Sequence, residues 1–320
     1  MRIAVVMDPI ELVLVDKDTS FALMLAAQTR GHEVLYLSPK DLWIREGELR
    51  ARVRPVKLDR AAPPMHAVVG ERSDVAVADL DAVLIRTDPP FDDDYLHATQ
   101  LFELVRGKTL VVNDPRGLRD ANEKLYATHF SDVMPRTAVT SHADQIREFV
   151  NVIGGRAVIK PLDGAGGSGV MVLDRTDLNY NAIVEATTQN GRKLAMVQEY
   201  LPAVRQGDKR VLLLDGEPLG AILRVPKADD ARSNIHVGGT VEPAELSANE
   251  LALVARVAPK LRADGLYFVG LDVIGEKLTE VNVTSPTGIQ ELSRFTGTDP
   301  EGKVIEWVER RVRAMREGAA

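Results

Sequence analysis

The chain has 320 residues, enough for two or three packed units, with the 45% hydrophobic and 27% charged content of a globular protein. A net charge of −7 argues against a nucleic-acid partner, and the absence of cysteine excludes disulfides, thiolate metal sites and a catalytic thiol. The apolar run before Asp8 is too short for a signal segment and no run reaches membrane length, so a cytoplasmic protein with no membrane partner is expected.

Residues 2–7 read as a buried strand. Asp18, Thr19 and Ser20 offer caps for a helix that runs through Arg30 and stops at Gly31, and residues 33–37 form the next strand, so the chain opens β-α-β. Between residues 49 and 58, apolar Leu49, Ala51 and Val53 alternate with Arg50, Arg52 and Arg54, a strand with arginines on its open face. Residues 80–86 and 109–112 are further strands. They end in the polar runs Arg86-Thr87-Asp88-Pro89-Pro90 and Asn113-Asp114-Pro115, and ligands of open α/β sheets sit beyond such carboxyl ends. No G-x-G-x-x-G follows the first strand, which disfavours a nicotinamide oxidoreductase.

Near Asn122 the pattern changes. Helical stretches at 146–153 and 178–188 alternate with strands at 157–159, 170–173 and 194–198. Inside this unit Lys160 precedes Gly164, Gly166, Gly167 and Gly169. Glycine so clustered costs conformational entropy, so the chain gains if φ must be positive or if something must approach the backbone closely. A phosphate chain fits, but the lysine comes before the glycines, the reverse of a Walker loop. A third section pairs strands 209–214 and 218–225 through a hairpin turn at Asp215-Gly216. A capping box from Ser247 to Glu250 opens a helix through Arg262, and strands 267–274 and 277–283 close the section. Val304, Val308, Val312 and Met315 recur at helical spacing among arginines, an amphipathic helix expected to pack on this third section.

Glu280 and Asn282 share a strand face. Asp272 joins them if the hairpin register sets it opposite Glu280, which calls for a three-residue loop at 275–277; a two-residue turn would set it opposite Thr279. In the first register three oxygen ligands converge, a set suited to Mg²⁺ with nucleotide phosphates, while the same residues also describe a solvated hairpin face. Lys124, after Asn122 and Glu123, falls on an expected helix where exposure is the default. Gln198, Glu199, Tyr200 and Leu201 end a strand as a hinge whose backbone amides suit an adenine ring, and equally read as a linker. Lys209 and Arg210 open a strand, where surface charge is the ordinary reading.

Taken in chain order, these parts resemble the ATP-grasp ligases, and the bacterial glutathione synthetase family most closely. The resemblance runs through Val6-Met7-Asp8-Pro9-Ile10, Arg86-Thr-Asp-Pro-Pro-Phe91, Asn122-Glu-Lys124, Lys160-Pro-Leu-Asp-Gly164, Gly207-Asp-Lys-Arg-Val211, Asp215-Gly-Glu-Pro218, Val269-Gly-Leu-Asp272 and Thr279-Glu-Val-Asn-Val-Thr-Ser-Pro286. It covers nearly the whole chain and is weakest at residues 60–77 and in the C-terminal tail. It implies an α/β (α+β ATP-grasp) fold: an N-terminal open parallel α/β substrate-binding domain at 1–122, a central lid subdomain with the glycine loop at 123–200, and a C-terminal subdomain with the metal site at 201–320.

The activity it implies is ATP-dependent ligation of glycine to the C-terminal carboxylate of γ-glutamylcysteine through an acyl phosphate, giving glutathione, ADP and phosphate. Lys124, Lys160, Gly164, Gly166, Gly167, Gln198, Glu199, Tyr200, Leu201 and Asp208 would then bind ATP. Asp272, Glu280 and Asn282 would hold Mg²⁺, with Mn²⁺ as the alternative, and Arg210 and Arg224 would face the reacting oxygens. Arg86, Asp88, Arg232, Ser285, Pro286 and Thr287 would bind substrate, Arg86 through a fork on a carboxylate. A homo-oligomer is expected. None of the six histidines offers an evident general base, and His236 reads as a solvated loop residue. The composition of residues 226–239 fits plain surface disorder as well as a mobile loop, and the lability of an acyl phosphate in water favours a loop that closes over substrate and shields it. A ligase for another amino acid or peptide would share every nucleotide residue, whereas a module that only binds nucleotide would not need the Glu280-x-Asn282 pair.

Overall fold

The computed structural model describes residues 1–61, 66–226 and 240–318. The first sheet has eight strands: β1 (Arg2–Val6), β2 (Glu33–Leu37), β3 (Leu42–Arg45), β4 (Glu48–Leu58), β5 (Ala67–Val69), β6 (Ser73–Ala76), β7 (Ala82–Ile85) and β8 (Leu110–Val112). Its centre, in the order β2-β1-β7-β8, is parallel. Beyond β2 it continues as antiparallel β4 and β3, so the open parallel sheet has a mixed edge. Alternation along β4 buries Leu49, Ala51 and Val53 and leaves Arg50, Arg52 and Arg54 on the other face, as the sequence implies. Helix α1 (Thr19–Thr29) starts where the Asp18 side chain accepts the Phe21 amide at 2.7 Å, and ends before Gly31, whose φ is 81°. Helices α2 (Asp93–Phe102) and α3 (Pro115–Asp120) complete this part.

The second sheet, in the order β11-β10-β12-β9, is antiparallel and made of β9 (Thr137–Thr140), β10 (Arg156–Pro161), β11 (Met171–Asp174) and β12 (Ala195–Glu199). Helices α4 (Ala143–Val152) and α5 (Tyr180–Thr188) cover one face, over Ala157, Ile159, Leu173, Ala195 and Val197. By the two-residue period of β10, Val158 and Lys160 point to the opposite, uncovered face. This small core is separate from the rest of the molecule.

The third sheet, in the order β15-β14-β13-β16-β17, contains β13 (Asp208–Leu214), β14 (Glu217–Val225), β15 (Thr240–Ala244), β16 (Phe268–Ile274) and β17 (Lys277–Asn282). Asp215 and Gly216, with φ of 51° and 76°, make the expected tight turn between β13 and β14. Helix α6 (Ala248–Ala263) opens with the Ser247–Glu250 capping box. Helices α7 (Ile289–Thr296) and α8 (Pro300–Arg316) follow.

The first and third sheets are fused. Leu35, Val83 and Tyr126 share one apolar cluster with Val211, Val257 and Leu271, and Ile3, Phe21 and Leu84 share another with Leu212, Ile222 and Trp307. Asn113 ties the seam: its amide donates to the carbonyls of Phe268 at 2.9 Å and Val283 at 2.7 Å, and its oxygen accepts the amides of Tyr267 and Phe268 at 2.8 Å. The second polar strand ending therefore serves the seam rather than a ligand. Helix α8 meets its expectation in part, since it packs on the third section and on the first part of the chain as well. Its apolar face lies against α1 and α7, and Glu309 accepts both Arg30 at 2.8 Å and His32 at 2.8 Å, so it packs on the first sheet's helix layer. Trp307 donates to Asp215 at 3.0 Å, which carries the same helix across to the third sheet. Among the described residues no helix is long and apolar enough to cross a membrane.

Candidate active site

The uncovered face of the second sheet looks onto the third sheet across a cleft of about 970 Å³, counted with its open solvent. Val158, Met171 and Val172 line one side and Val204 and Ile274 the other, an apolar slot suited to a flat ring. All ten residues expected to bind nucleotide border this cleft. Its glycine loop needs glycine for two reasons. Gly166 and Gly167 have φ of 60° and 83°, and a Cβ on Gly164 would sit 2.7 Å from the Ser168 carbonyl oxygen.

Lys124 and Lys160 reach the cleft from separate segments. Lys124 lies in a turn, not on a helix, and is buried; the Asn122 side chain caps the turn by accepting the amides of Lys124 at 3.1 Å and Leu125 at 3.0 Å. Its Nζ donates to the Gly164 carbonyl and lies 3.1 Å from Glu280 Oε1. Lys160 Nζ donates to the Thr279 carbonyl at 3.2 Å. Burial pushes the Lys160 ammonium below its ordinary value, against the pull of Glu280. In the hinge, the Glu199 amide is committed to the Arg136 carbonyl at 2.9 Å and the Tyr200 amide to that of Arg156 at 3.4 Å. The Leu201 amide makes no hydrogen bond among the described residues, so of these three hinge amides it is the one left open toward a ligand.

The floor of the cleft is the β16–β17 hairpin. Gly275 and Glu276, with φ of 53° and 64°, form a two-residue turn pairing Ile274 with Lys277. A bulge at Thr279 then absorbs one residue, so Asp272 still pairs with Glu280 and Gly270 with Asn282. The three-residue loop was the wrong device, but the face it was meant to create exists. Asn282 donates its amide to the Gly270 carbonyl at 3.2 Å, which leaves its oxygen available as a third hard donor on this strand face. Among the described residues no three His, Cys, Asp or Glu side chains cluster as a metal site, so the set is two carboxylates and an amide.

Arg210 is buried rather than a surface charge. It binds Asp272 through Nε at 2.6 Å and Nη2 at 3.2 Å, and the Thr287 carbonyl through Nη1 at 3.2 Å. Arg224 lies 2.9 Å from Asp272 and also donates to Asp208. Burial alone would raise the Asp272 carboxyl; the charges of Arg210 and Arg224 outweigh it and hold it well below the usual carboxylate range.

A second, polar cleft of about 1130 Å³ with its open solvent adjoins the first and shares Gly166, Asp272 and Glu280 with it. Asp88, Arg210, Arg224, Asn282, Ser285 and Thr287 line it. Arg86 and Pro286 do not; they border a small cavity behind it. Arg86 is buried, donating through Nε to Ser20 Oγ at 3.1 Å and through Nη2 to the Pro286 carbonyl at 3.0 Å, so in this geometry its fork holds the 285–287 loop. Arg232, His236 and most of the 226–239 loop lie outside the described residues. Sequence reasoning passed over Val158, although its alternation with Lys160 signals the cleft face. It also passed over Glu123 and Thr284, which border the polar cleft.

Two family models match the chain: the N-terminal domain of prokaryotic glutathione synthetase over residues 1–119, and its ATP-grasp domain over 123–297. The chain is 46% identical over 314 residues, 96% of each chain, to a glutathione synthetase of Gloeobacter violaceus. It is 41% identical to that of Salmonella typhimurium, over 98% of this chain and 99% of the relative. A solved D-cycloserine synthetase, DcsG, superposes with a TM-score of 0.68 at 17% identity, over 98% of this chain and 100% of that one. A RimK-domain ATP-grasp protein of Sphaerobacter thermophilus gives 0.62 at 18% identity, over 96% of this chain and 98% of that one; at such identities the likeness concerns the fold. With both family domains in sequence and the ATP-grasp architecture around the cleft, the chain belongs to the prokaryotic glutathione synthetase family.

Proposed function

We propose that the protein joins glycine to the cysteinyl carboxylate of γ-glutamylcysteine at the expense of ATP, releasing glutathione, ADP and phosphate. The observation that carries this reading is the meeting of the two clefts at Asp272 and Glu280, which lets a nucleotide's terminal phosphate and a substrate carboxylate share one edge. The apolar slot takes the adenine, the Leu201 amide its edge, and the glycine loop with Lys124 and Lys160 the phosphates. Asp272, Glu280 and Asn282 fit Mg²⁺, which when bound supplies charge neutralisation between phosphate and carboxylate.

A carboxylate oxygen attacks the terminal phosphorus and the bond to ADP breaks. Attack brings two anions together, and the cationic wall of Arg210 and Arg224 lowers that repulsion. Arg224 is the better placed of the two for substrate, because all three nitrogens of Arg210 are already engaged. The amine nitrogen then forms the C–N bond as phosphate leaves with the C–O electron pair. Of the two protons shed by the ammonium, one stays on the released phosphate and one passes to solvent. Incubation with ATP, Mg²⁺, γ-glutamylcysteine and glycine should give ADP and glutathione one to one, with little ADP when either acceptor or dipeptide is omitted. Faster turnover of another dipeptide or amino acid in a panel would contradict this substrate assignment.

A further inference from the structure

Glu123 has no part in the roles above. Its Oε1 accepts three hydrogen bonds from the end of β17, from Val283 N at 3.0 Å, Thr284 N at 3.2 Å and Thr284 Oγ1 at 2.8 Å. Oε2 takes none among the described residues, and no lysine or arginine there pairs with this half-buried carboxylate. Two other carboxylates of the cleft are engaged otherwise: Asp272 with Arg210 and Arg224, and Glu280 with Lys124. Burial, and then the charge of Glu280, push the Glu123 carboxyl above its ordinary value.

Its place is equally specific. Glu123 borders the polar cleft and also a second opening of about 580 Å³ with its solvent, between the glycine loop and Phe91 and Leu118 of the first part of the chain. Pro89, Ala165 and Thr284 border both spaces as well, so the carboxylate stands where the opening meets the cleft.

We propose that Glu123 Oε2 receives the ammonium group of the acceptor amino acid as it comes through this second opening toward the acyl carbon. The inference rests on the ligase reading above. At neutral pH an amino-acid acceptor carries a positive nitrogen, and it must enter a site where Lys124, Lys160, Arg210 and Arg224 would repel it. A negative group without a cation partner at the junction gives that nitrogen a place to stand, within reach of the reacting carbon. Glu123 is thus a substrate-positioning residue on the amine side.

Glu123→Gln separates this role from a structural one, because its carbonyl oxygen keeps the three bonds from Val283 and Thr284 while the charge at Oε2 is lost. Expected is a fall of roughly ten- to a hundredfold in kcat/KM for glycine, the scale of one charge-assisted hydrogen bond, with the KM for ATP and for γ-glutamylcysteine held. Hydroxylamine, uncharged at neutral pH, should still trap the acyl phosphate as hydroxamate at the parental rate. Equal loss with glycine and hydroxylamine, or no loss with glycine, overturns the proposal. Should the variant not fold, the parent protein decides: glycinamide, which keeps the ammonium, should compete with glycine better than glycolate, which lacks it, and the reverse order overturns the assignment. A parent protein that makes no glutathione would instead overturn the ligase reading.

Discussion

Asp272 and Glu280 face each other across one ladder in different electrostatic company. Asp272 is buried between two arginines; Glu280 is more exposed and meets Lys124 at 3.1 Å. Their isosteric neutral variants should therefore part. Glu280→Gln removes a charge that the proposed function assigns to the metal, with turnover expected to fall on the order of a thousandfold while the folded state persists. Asp272→Asn leaves two buried guanidinium groups without their shared partner, and should lose activity together with about 3–5 kcal/mol of stability. Urea denaturation with phosphate-release kinetics on both variants checks the contrast. Because the folded Asp272 carboxyl is held below its unfolded value, its stabilisation is complete above about pH 4 and is lost as pH falls through the folded value. That part of the acid sensitivity should vanish in Asp272→Asn. The residue types at this site were legible in the sequence. Which cation meets which anion was not, since Arg86 reads the same whether its fork takes a substrate or, as here, Ser20 and the Pro286 carbonyl.

At the scale of elements, strand and helix periods gave positions but not partners. The valines of α8 define an apolar face, and nothing in their spacing says that α1 covers it. The β16–β17 register was open for a similar reason: a bulge at Thr279 shifts the pairing without a glycine or proline to announce it. Strands β3, β5, β6 and β15 are short and leave little alternation to read. A tight contact between α3 and the turn after α6 does carry a prediction. A Cβ on Gly117 would lie 2.1 Å from the Asp264 carbonyl oxygen, a backbone atom that moves only with the seam. Gly117→Ala should cost about 1–3 kcal/mol or more despite the better helix propensity of alanine. A thermal melt that matches or exceeds the parent would show that α3 is free to shift.

Over the whole molecule, two fused sheets form a base, and the second sheet, with its own core, stands over them on the other side of the apolar cleft. The carboxylate edge lies on the base, and the glycine loop hangs from the upper unit. On the proposed reading the phosphate lies between these two bodies, with Lys160 and the loop on one side of the cleft and Asp272 and Glu280 on the other. The chemistry this arrangement supports is direct transfer of a phosphoryl group to a carboxylate, and oxygen labelling follows that transfer atom by atom. With both oxygens of the cysteinyl carboxylate of γ-glutamylcysteine labelled with ¹⁸O, each phosphate released with ADP should carry one label and each glutathione amide should retain the other. Unlabelled phosphate accompanying glutathione would contradict a shared edge between nucleotide and carboxylate, and with it the account of the two clefts.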